Sequence, residues 1–221
     1  MPQISCKNVS ITYNNNIVVE NISFDISSGE YVCILGKNGT GKSSIVKAIL
    51  GLTKFSGSIN FCDGLKQSEI GYLPQQTESQ EDFPASVFEV VLSGRLNQRG
   101  FKPFYSKEDK LAVDSALEKL NAINIKDKSF RDLSGGQKQR ALLARAVCAT
   151  VKVLILDEPV SALDNTATGD MYELIKKLNK LGITIIMITH DIENAVKYAD
   201  KILMLNEDTY SYSNASEFSN L

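Results

Sequence analysis

The sequence predicts an α/β fold with a mixed, mainly parallel sheet, an N-terminal antiparallel β layer and an inserted group of helices. The apolar segment Tyr31–Leu35 leads straight into a glycine-rich loop and then a helix. Two more apolar segments, Val151–Leu156 and Ile183–Ile188, flank a helical stretch, Thr168–Lys180. Apolar strands alternating with helices are typical of a parallel sheet covered on both faces. Residues 1–30 instead alternate polar and apolar side chains, which is typical of antiparallel strands.

The bulk composition allows one large domain and argues against nucleic acid as the main partner. With 221 residues and 43% hydrophobic content, the chain can bury a sizeable core. The 24 basic and 26 acidic residues leave a net charge of −2, and no basic run stands out. A nucleic-acid-binding surface needs a concentrated positive charge, so we expect none here.

Features of an exported or membrane-spanning chain are absent from the sequence. The first residues, Met1–Cys6, lack the apolar stretch of a signal peptide, and no apolar run approaches the roughly 20 residues that cross a bilayer. The four cysteines are widely spaced and sit mostly in apolar segments, where we expect free thiols rather than disulfides or a zinc site. They are Cys6, Cys33, Cys62 and Cys148. Any membrane role is therefore expected to go through a partner.

The glycine-rich loop has the full spacing G-x-x-x-x-G-K-[ST] of a phosphate-binding loop, or P-loop. Its residues are Gly36, Lys37, Asn38, Gly39, Thr40, Gly41, Lys42 and Ser43, followed by Ser44 in a helix predicted over Ser43–Leu50. The glycines let backbone N–H groups surround a β-phosphate, Lys42 neutralises phosphate oxygens, and Ser43 can bind Mg²⁺. A chance glycine-rich turn would not need a strand before it and a helix after it. The loop therefore predicts nucleotide binding.

Two neighbouring acids end the second apolar strand, Asp157 and Glu158. Asp157 is placed to hold the Mg²⁺ shell, mostly through water, and Glu158 to polarise an attacking water. Adjacent acids at a strand end are otherwise common in a solvated turn, but the upstream P-loop favours the catalytic interpretation. His190, the only histidine, follows the third apolar strand, at the edge where ligands lie in open α/β sheets. A single histidine is more often a structural residue. Because the chain has one histidine, we expect no transition-metal site built on histidines.

A second glycine segment, Leu133–Gln137, begins a helix predicted over Gln137–Cys148. Its residues Ser134, Gly135, Gly136 and Gln137 offer another helix start where backbone N–H groups can hold phosphate. One chain with two such segments indicates that two copies meet, each completing the other's site. A P-loop small-molecule kinase would bind nucleotide as well but gives no reason for this segment.

The middle of the chain interrupts the nucleotide-binding pattern with helices. Helical patterns cover Ser86–Leu92 and Lys107–Asn121, with a Gly/Pro/aromatic loop, Gly100–Tyr105, between them. We predict one domain, residues 1–221, in which 1–83 and 131–205 form the core. Residues 84–130 form a helical subdomain, and 206–221 a short tail whose residues Ser213–Phe218 are predicted to hold a short last helix.

The two motifs in this order resemble the ATP-binding cassette (ABC) family of ATPases, from about Ile4 to Leu205. The resemblance implies that His190 contacts the γ-phosphate and that Tyr13 stacks on adenine, although a plain strand tyrosine is a rival interpretation. It implies that Gln75 reaches Mg²⁺ and water, with Gln76 beside it leaving the register open. It also implies that the segment ending at Asp164 crosses a dimer interface.

The resemblance further implies a head-to-tail homodimer that encloses two ATP molecules. Each ATP would lie on the P-loop of one copy and be capped by Ser134, Gly135 and Gly136 of the other. Closure would then depend on the γ-phosphate, and hydrolysis would release it. We expect Glu158→Gln to stop turnover while ATP binding persists.

The start of the helical insertion, Phe83–Arg95, resembles that of the ATPases of bacterial zinc and manganese importers. This implies an integral-membrane permease, an extracellular or periplasmic solute-binding protein, and a peripheral location on the cytoplasmic face of the membrane. Importers of iron–siderophore and cobalamin carry related versions of the stretch. A soluble ABC ATPase that assembles iron–sulfur clusters would share every catalytic motif and remains the alternative from another class.

Overall fold

The computed structural model describes residues 2–14, 16–75, 84–96, 104–149, 152–206 and 209–218. Its strands, in chain order, are β1 (Pro2–Tyr13), β2 (Asn16–Ser27), β3 (Tyr31–Gly36), β4 (Ser56–Phe61), β5 (Ile70–Leu73), β6 (Val153–Asp157), β7 (Thr184–Ile188), β8 (Lys201–Leu205) and β9 (Tyr210–Asn214). Its helices are α1 (Lys42–Ile49), α2 (Val87–Leu92), α3 (Lys107–Lys119), α4 (Gly135–Ala149), α5 (Asn165–Lys180), α6 (Ile192–Tyr198) and α7 (Ala215–Phe218).

The strands form two sheets. The larger has the order β5-β6-β7-β3-β8-β9, with parallel neighbours throughout except for the antiparallel pair β8 and β9. The smaller has the order β2-β1-β4 and is antiparallel in both pairs. The predicted fold class, a mainly parallel α/β sheet with an N-terminal antiparallel layer, is confirmed.

Two cores cover the two faces of the larger sheet. Successive side chains of a strand point to opposite faces, so Tyr31 and Cys33 of β3 enter one core while Val32 and Ile34 enter the other. The first core joins the sheet to α2–α7, and the second joins it to α1 and the antiparallel layer. The buried strands read as continuous apolar runs because both of their faces are covered.

The helical region after β5 packs through α2 and α3 onto α4. Both short helices start with a capping box: Ser86 accepts from the Glu89 N–H, and Ser106 accepts from the Asp109 N–H, each at 3.2 Å. Arg95 follows α2 and donates to the Asp109 carboxylate at 2.9 Å. Its guanidinium also donates to a carbonyl near the end of α4, so one side chain joins three helices.

Helix bounds agree with prediction for α1 and α4 to within one or two residues, but α5 starts three residues before the predicted Thr168. Asp164 explains this difference, because its carboxylate accepts from the Ala167 N–H at 2.8 Å and caps the helix. Helix α6 and strand β9 are not among the predicted elements. The short last helix is present as α7.

Strand β9 lies within the segment predicted as a tail and extends the larger sheet. It pairs with β8 over its whole length. Tyr212 of β9 packs against Phe24 of β2 with ring centroids 5.7 Å apart and donates to the Asp25 carbonyl at 2.6 Å. The segment therefore joins the larger sheet to the antiparallel layer. Val151 and residues 100–103 of the predicted loop lie outside the described residues.

The four cysteines are free, as predicted; three of them are buried and Cys62 is partly exposed. In the part of the chain that the structure describes, no helix combines the length and the apolar composition needed to span a membrane.

Candidate active site

The P-loop and the predicted catalytic residues gather at one edge of the larger sheet because parallel strands end on the same side. The P-loop follows β3, and Gln75 lies two residues beyond β5. Glu158 follows β6 directly, and His190 lies two residues beyond β7. Adjacent strands in the order β5-β6-β7-β3 therefore bring four sequence-distant segments together.

The P-loop needs glycine at its two ends for steric reasons. Gly36 has a φ of 149°, and a Cβ there would lie 2.5 Å from the carbonyl oxygen of Leu205. Gly41 has a φ of 92°, and a Cβ there would overlap the Val19 side chain of the antiparallel layer. Any other residue would strain the backbone and displace the loop from both sheets.

Helix α1 starts in this loop with its first turn open to a ligand. Its N-cap is Gly41, no side chain caps it, and its first turn carries no acid. Backbone N–H groups and the positive end of the helix dipole therefore point toward the loop, as an anion requires.

Lys42 folds back over the P-loop rather than into solvent. Its Nζ donates to the carbonyls of Gly36 and Lys37, both at 2.8 Å, and the residue is 6% exposed. Burial lowers the pKa of the Lys42 ammonium, and the charges of Glu158 and Asp157 oppose that shift. The side chain is thus held in place, next to two carboxylates, before any phosphate arrives.

Asp157 is buried at the end of β6 between two hydroxyl donors. The hydroxyls of Ser43 in α1 and Tyr72 in β5 lie beside its carboxylate. Burial raises the pKa of Asp157, the Ser43 hydroxyl opposes this, and the Glu158 charge adds to it. Burial also raises the pKa of Tyr72 to about 12, with the Asp157 charge contributing. The carboxylate is costly to ionise here unless a cation joins it.

Glu158 is held on both sides by the other predicted catalytic residues. The Gln75 amide donates to Oε2 at 2.9 Å, and His190 Nε2 lies 2.6 Å from Oε1. The backbone of Glu158 is left-handed, with a φ of 50°, and its N–H donates to the Ile188 carbonyl at 3.0 Å. A non-glycine residue in this region is uncommon and marks a constrained position.

These side chains surround a cleft of about 640 Å³. Its lining brings together the P-loop, the start of α1, one residue of β2, and Glu158 with its two polar neighbours: Val18, Asn38, Gly39, Gly41, Lys42, Ser43, Ser44, Gln75, Glu158 and His190. The cleft thus joins an anion-binding loop to a carboxylate placed to act as a base. Gln76, the rival of Gln75, lies outside the described residues.

The second glycine segment is absent from the lining of this cleft. Ser134 and Gln137 form a reciprocal cap at the start of α4, with N···O distances of 3.2 and 3.4 Å. Gly136 faces Ala167, just inside α5, and Gly135 faces the loop before Asp164. The two parts predicted to meet a second copy are therefore neighbours within one chain.

Tyr13 ends β1 with its ring 39% exposed. Its hydroxyl lies near the Thr53 and Ser44 hydroxyls, which lower the pKa of Tyr13, Thr53 most strongly. The contact with Ser44 places the ring beside the start of α1. Adenine stacking by Tyr13 stays a prediction.

Tyr72 and Val18 belong to the site and are missing from the predicted residues. Tyr72 stands three residues before Gln75 on a strand that pairs with β6, which is the signal that could have found it. Val18 lines the cleft from the antiparallel layer, and nothing in its local sequence indicates this. Among the described residues, no group of three or more His, Cys, Asp or Glu side chains is placed to hold a metal ion.

Residues 19–161 match the family model described as "ABC transporter". The match covers more than half of the chain and includes the P-loop, Gln75, the second glycine segment and Glu158. The chain belongs to the ABC transporter family. It is an ATPase domain of that family, and nucleotide is its ligand.

Relatives of this ABC ATPase domain cover nearly its whole length. The manganese transport system ATP-binding protein MntB of Halalkalibacterium halodurans is 34% identical over 96% of this chain and 86% of its own. The high-affinity zinc uptake system ATP-binding protein ZnuC of Bacillus subtilis is 35% identical over 93% of this chain and 91% of its own.

Solved structures agree with the family assignment. CbiO1 of Clostridium perfringens, part of the ABC transporter complex cbiONQ, is 30% identical and superposes with a TM-score of 0.86 over 99% of this chain and 91% of its own. A nucleotide-free ATP-binding cassette from an ABC transporter, 21% identical, superposes with a TM-score of 0.86 over 100% of this chain and 94% of its own, which shows the shared fold.

Proposed function

We propose that this chain is the ATP-hydrolysing motor of a multi-protein transporter that imports a divalent metal ion such as zinc or manganese. The observation that carries the motor role is the Glu158 carboxylate, held by Gln75 and His190 beside a P-loop cleft. Metal as the cargo is supported by relatives named for manganese and zinc transport, which are 34% and 35% identical over more than nine-tenths of this chain. Those names favour transport over iron–sulfur cluster assembly.

ATP binding is assigned to residues 36–44 and Tyr13. Backbone N–H groups of the loop and the open start of α1 receive the phosphates, because this is where the fold leaves donors without side-chain caps. The Lys42 ammonium neutralises phosphate oxygens from its position over the loop. The Tyr13 ring takes the adenine, which its exposed place beside Ser44 permits.

Hydrolysis is an in-line transfer of the γ-phosphoryl group to water. Glu158 accepts a proton as the water oxygen bonds to phosphorus and the bond to ADP breaks. Gln75 and His190 fix this carboxylate by hydrogen bonds, and His190 contacts the γ-phosphate. Positioning of this kind supplies most of the catalysis, since phosphoryl transfer asks for little covalent chemistry from the protein.

The donor set beside the P-loop fits Mg²⁺. Ser43 and Asp157 place a hydroxyl and a carboxylate oxygen side by side, and Gln75 adds an amide. Mg²⁺ prefers oxygen ligands and binds through few protein groups together with water and phosphates. When bound, it neutralises charge on the phosphate oxygens. It would also balance the charge of the buried Asp157 carboxylate.

A second copy of the chain completes each ATP site in this proposal. Ser134, Gly135, Gly136 and Gln137 of the second copy cap the nucleotide that lies on the P-loop of the first. Asp164 crosses the interface nearby and links the two sites. Support comes from the exposed position of Ser134 and Gly135 outside their own chain's cleft.

The partners that ATP hydrolysis drives are proposed to be proteins of the membrane transporter. We propose that the helical region 84–130 docks on a permease at the cytoplasmic face of the membrane, while 1–83 and 131–205 form the motor core. A solute-binding protein delivers the metal ion on the far side of the membrane. Nucleic acid has no role, in keeping with the net charge of −2.

A co-purification experiment tests the transport role. The tagged chain is recovered from a mild-detergent extract and its partners are identified by mass spectrometry, with Glu158→Gln as a second bait that traps ATP. We expect a polytopic membrane protein in stoichiometric amount. Soluble scaffold proteins in its place would overturn transport and favour the assembly-factor alternative.

Growth of a deletion strain tests the cargo separately. In medium depleted of zinc or manganese, we expect slow growth that the wild-type gene restores and the Glu158→Gln gene does not. Normal growth in both media would contradict metal import and leave the motor role intact.

A further inference from the structure

A buried tyrosine on helix α5 contacts the segment that carries His190. The hydroxyl of Tyr172 and the hydroxyl of Thr189 lie 3.1 Å apart. Tyr172 is 0% exposed and Thr189 is 2% exposed, so neither hydroxyl has water as a ready alternative partner. The contact joins a helix to the end of a strand that is 17 residues away in sequence.

The same tyrosine also reaches the residue on the other side of His190. Thr189, the hydrogen-bond partner of Tyr172, also accepts from the Asp191 N–H at 3.1 Å. Asp191 in turn caps α6, since its carboxylate accepts from the Asn194 N–H at 3.0 Å. Tyr172 is therefore bonded to Thr189 directly and linked through Thr189 to Asp191, the two sequence neighbours of His190.

His190 itself has little else to hold it in place. Its side chain is 45% exposed, and among the described residues its polar contact is the 2.6 Å approach to Glu158. A half-exposed imidazole with one partner depends on its backbone for position. The two residues that set this backbone are those fixed by Tyr172.

We infer that Tyr172 is a positioning residue for His190, holding the imidazole where it meets Glu158 through its hydrogen bond to Thr189, which in turn bonds Asp191. The inference rests on the proposed hydrolytic function of that site. Tyr172 touches neither nucleotide nor the reacting atoms. Its effect on the reaction passes through His190.

The helix that carries Tyr172 gives this contact a further consequence. Helix α5 starts at the Asp164 cap, two turns before Tyr172, and helices of this length move as rigid units. A shift of Asp164 at the dimer interface would therefore change the position of His190. The hydroxyl of Tyr172 is the link between them.

A matched pair of variants tests the inference in the purified full chain. Tyr172 and Tyr198 stack with ring centroids 5.4 Å apart, and the Tyr198 hydroxyl donates to Glu173 at 2.6 Å, away from His190. Tyr172→Phe and Tyr198→Phe each delete one hydroxyl and keep both rings. We expect Tyr172→Phe to lower kcat about 3- to 10-fold with the KM for ATP unchanged, as loss of a neutral hydrogen bond predicts. Tyr198→Phe keeps the wild-type kcat.

The His190→Gln background shows whether the effect passes through His190. There, adding Tyr172→Phe should cause no further loss, because the group that it positions is already gone. A full additional loss in that background would overturn the inference. So would equal kcat values for Tyr172→Phe and Tyr198→Phe.

Thr189→Val provides a second route if Tyr172→Phe fails to fold. It breaks the same hydrogen bond from the other side, and the same fall in kcat is expected; a wild-type kcat would overturn the inference. A wild-type chain that hydrolyses no ATP under any condition would instead contradict the proposed function. The two failures are therefore distinguishable.

Discussion

The P-loop cleft and the second glycine segment, Leu133–Gln137, differ in how much of a site one chain assembles. Around the cleft, Lys42 donates to carbonyls of its own loop, and Gln75 from another strand end donates to Glu158. In the second glycine segment, the side chains of Ser134 and Gln137 each accept from the other residue's backbone N–H, and Ser134 is exposed. One region is organised for chemistry before a ligand binds. The other is a helix start outside the cleft, and we propose that a second copy of the chain packs against it.

The cleft can form within one chain, whereas the second glycine segment is proposed to need a second copy. The cleft gathers its residues because parallel strands end at one edge, which the fold secures within a single chain. No comparable constraint directs the second glycine segment toward its own P-loop. Damage to the cleft should therefore abolish chemistry directly, while damage to the second glycine segment should act through the dimer.

The largest effect is expected from breaking the cleft at Glu158. Glu158→Gln keeps the size of the side chain but removes the proton acceptor, so ATP hydrolysis should fall about 10²- to 10⁴-fold. ATP binding should persist, because the P-loop is untouched. Phosphate release and equilibrium nucleotide binding measure the two effects. Hydrolysis at the wild-type rate would show that Glu158 is not the base.

Disrupting the second glycine segment should lower the rate of ATP hydrolysis nearly as much, but through the dimer rather than through the cleft. Ser134→Arg places a long charged side chain where the second copy is proposed to pack, and hydrolysis should fall about 100-fold through misalignment. ATP affinity of the dilute single chain should not change. Ser28→Arg, at an exposed turn far along the sequence, is the control and should retain activity. A large loss of ATP affinity in Ser134→Arg would contradict the division between the two regions.

A smaller effect on ATP affinity tests whether Tyr13 belongs to the cleft. Tyr13→Ala should weaken ATP binding about 3- to 10-fold through loss of ring stacking, while Tyr13→Phe keeps the ring and the affinity. Titration with a fluorescent ATP analogue measures both. If Tyr13→Ala binds as wild type, Tyr13 is an ordinary strand tyrosine and the cleft ends at Ser44.

The smallest effect concerns the stability of the nucleotide-free cleft. Burial raises the pKa of Asp157, so this carboxyl stabilises the fold below its ordinary pKa, and that contribution is lost as pH rises through the raised value. Asp157→Asn should therefore raise the thermal midpoint by about 2 °C near neutral pH. The difference should shrink as pH falls toward the ordinary pKa of an aspartate, about 4. Calorimetry without Mg²⁺ or nucleotide measures it, and a midpoint below wild type at neutral pH would contradict the account.

Most of the cleft could be predicted from sequence because each residue has a local signal. The P-loop has a fixed spacing, and Asp157, Glu158 and His190 follow apolar strands that the βαβ pattern makes parallel. Their convergence then follows from sheet geometry. The same reasoning places the second glycine segment at a helix start.

Other features depend on tertiary packing that no local pattern reports. The contact of Tyr172 with Thr189 depends on how α5 is rotated against the sheet, and the left-handed backbone of Glu158 has no signal in its residue type. The start of α5 does have a local signal, because Asp164 is a residue type that commonly caps helices. The next residues, Asn165 and Thr166, are weak helix formers, so the sequence pattern places the start of the helix too late.

The central claim, that each ATP site is shared between two copies, is tested most directly by mixing two inactive variants. Lys42→Ala damages the P-loop, and Ser134→Arg damages the second glycine segment. A mixed head-to-tail dimer holds one doubly damaged site and one intact site, so an equal mixture should recover about a quarter of wild-type hydrolysis. Recovery should peak at equal amounts of the two chains. No recovery at any ratio, with mixed dimers detected by differential tags, would contradict the shared site.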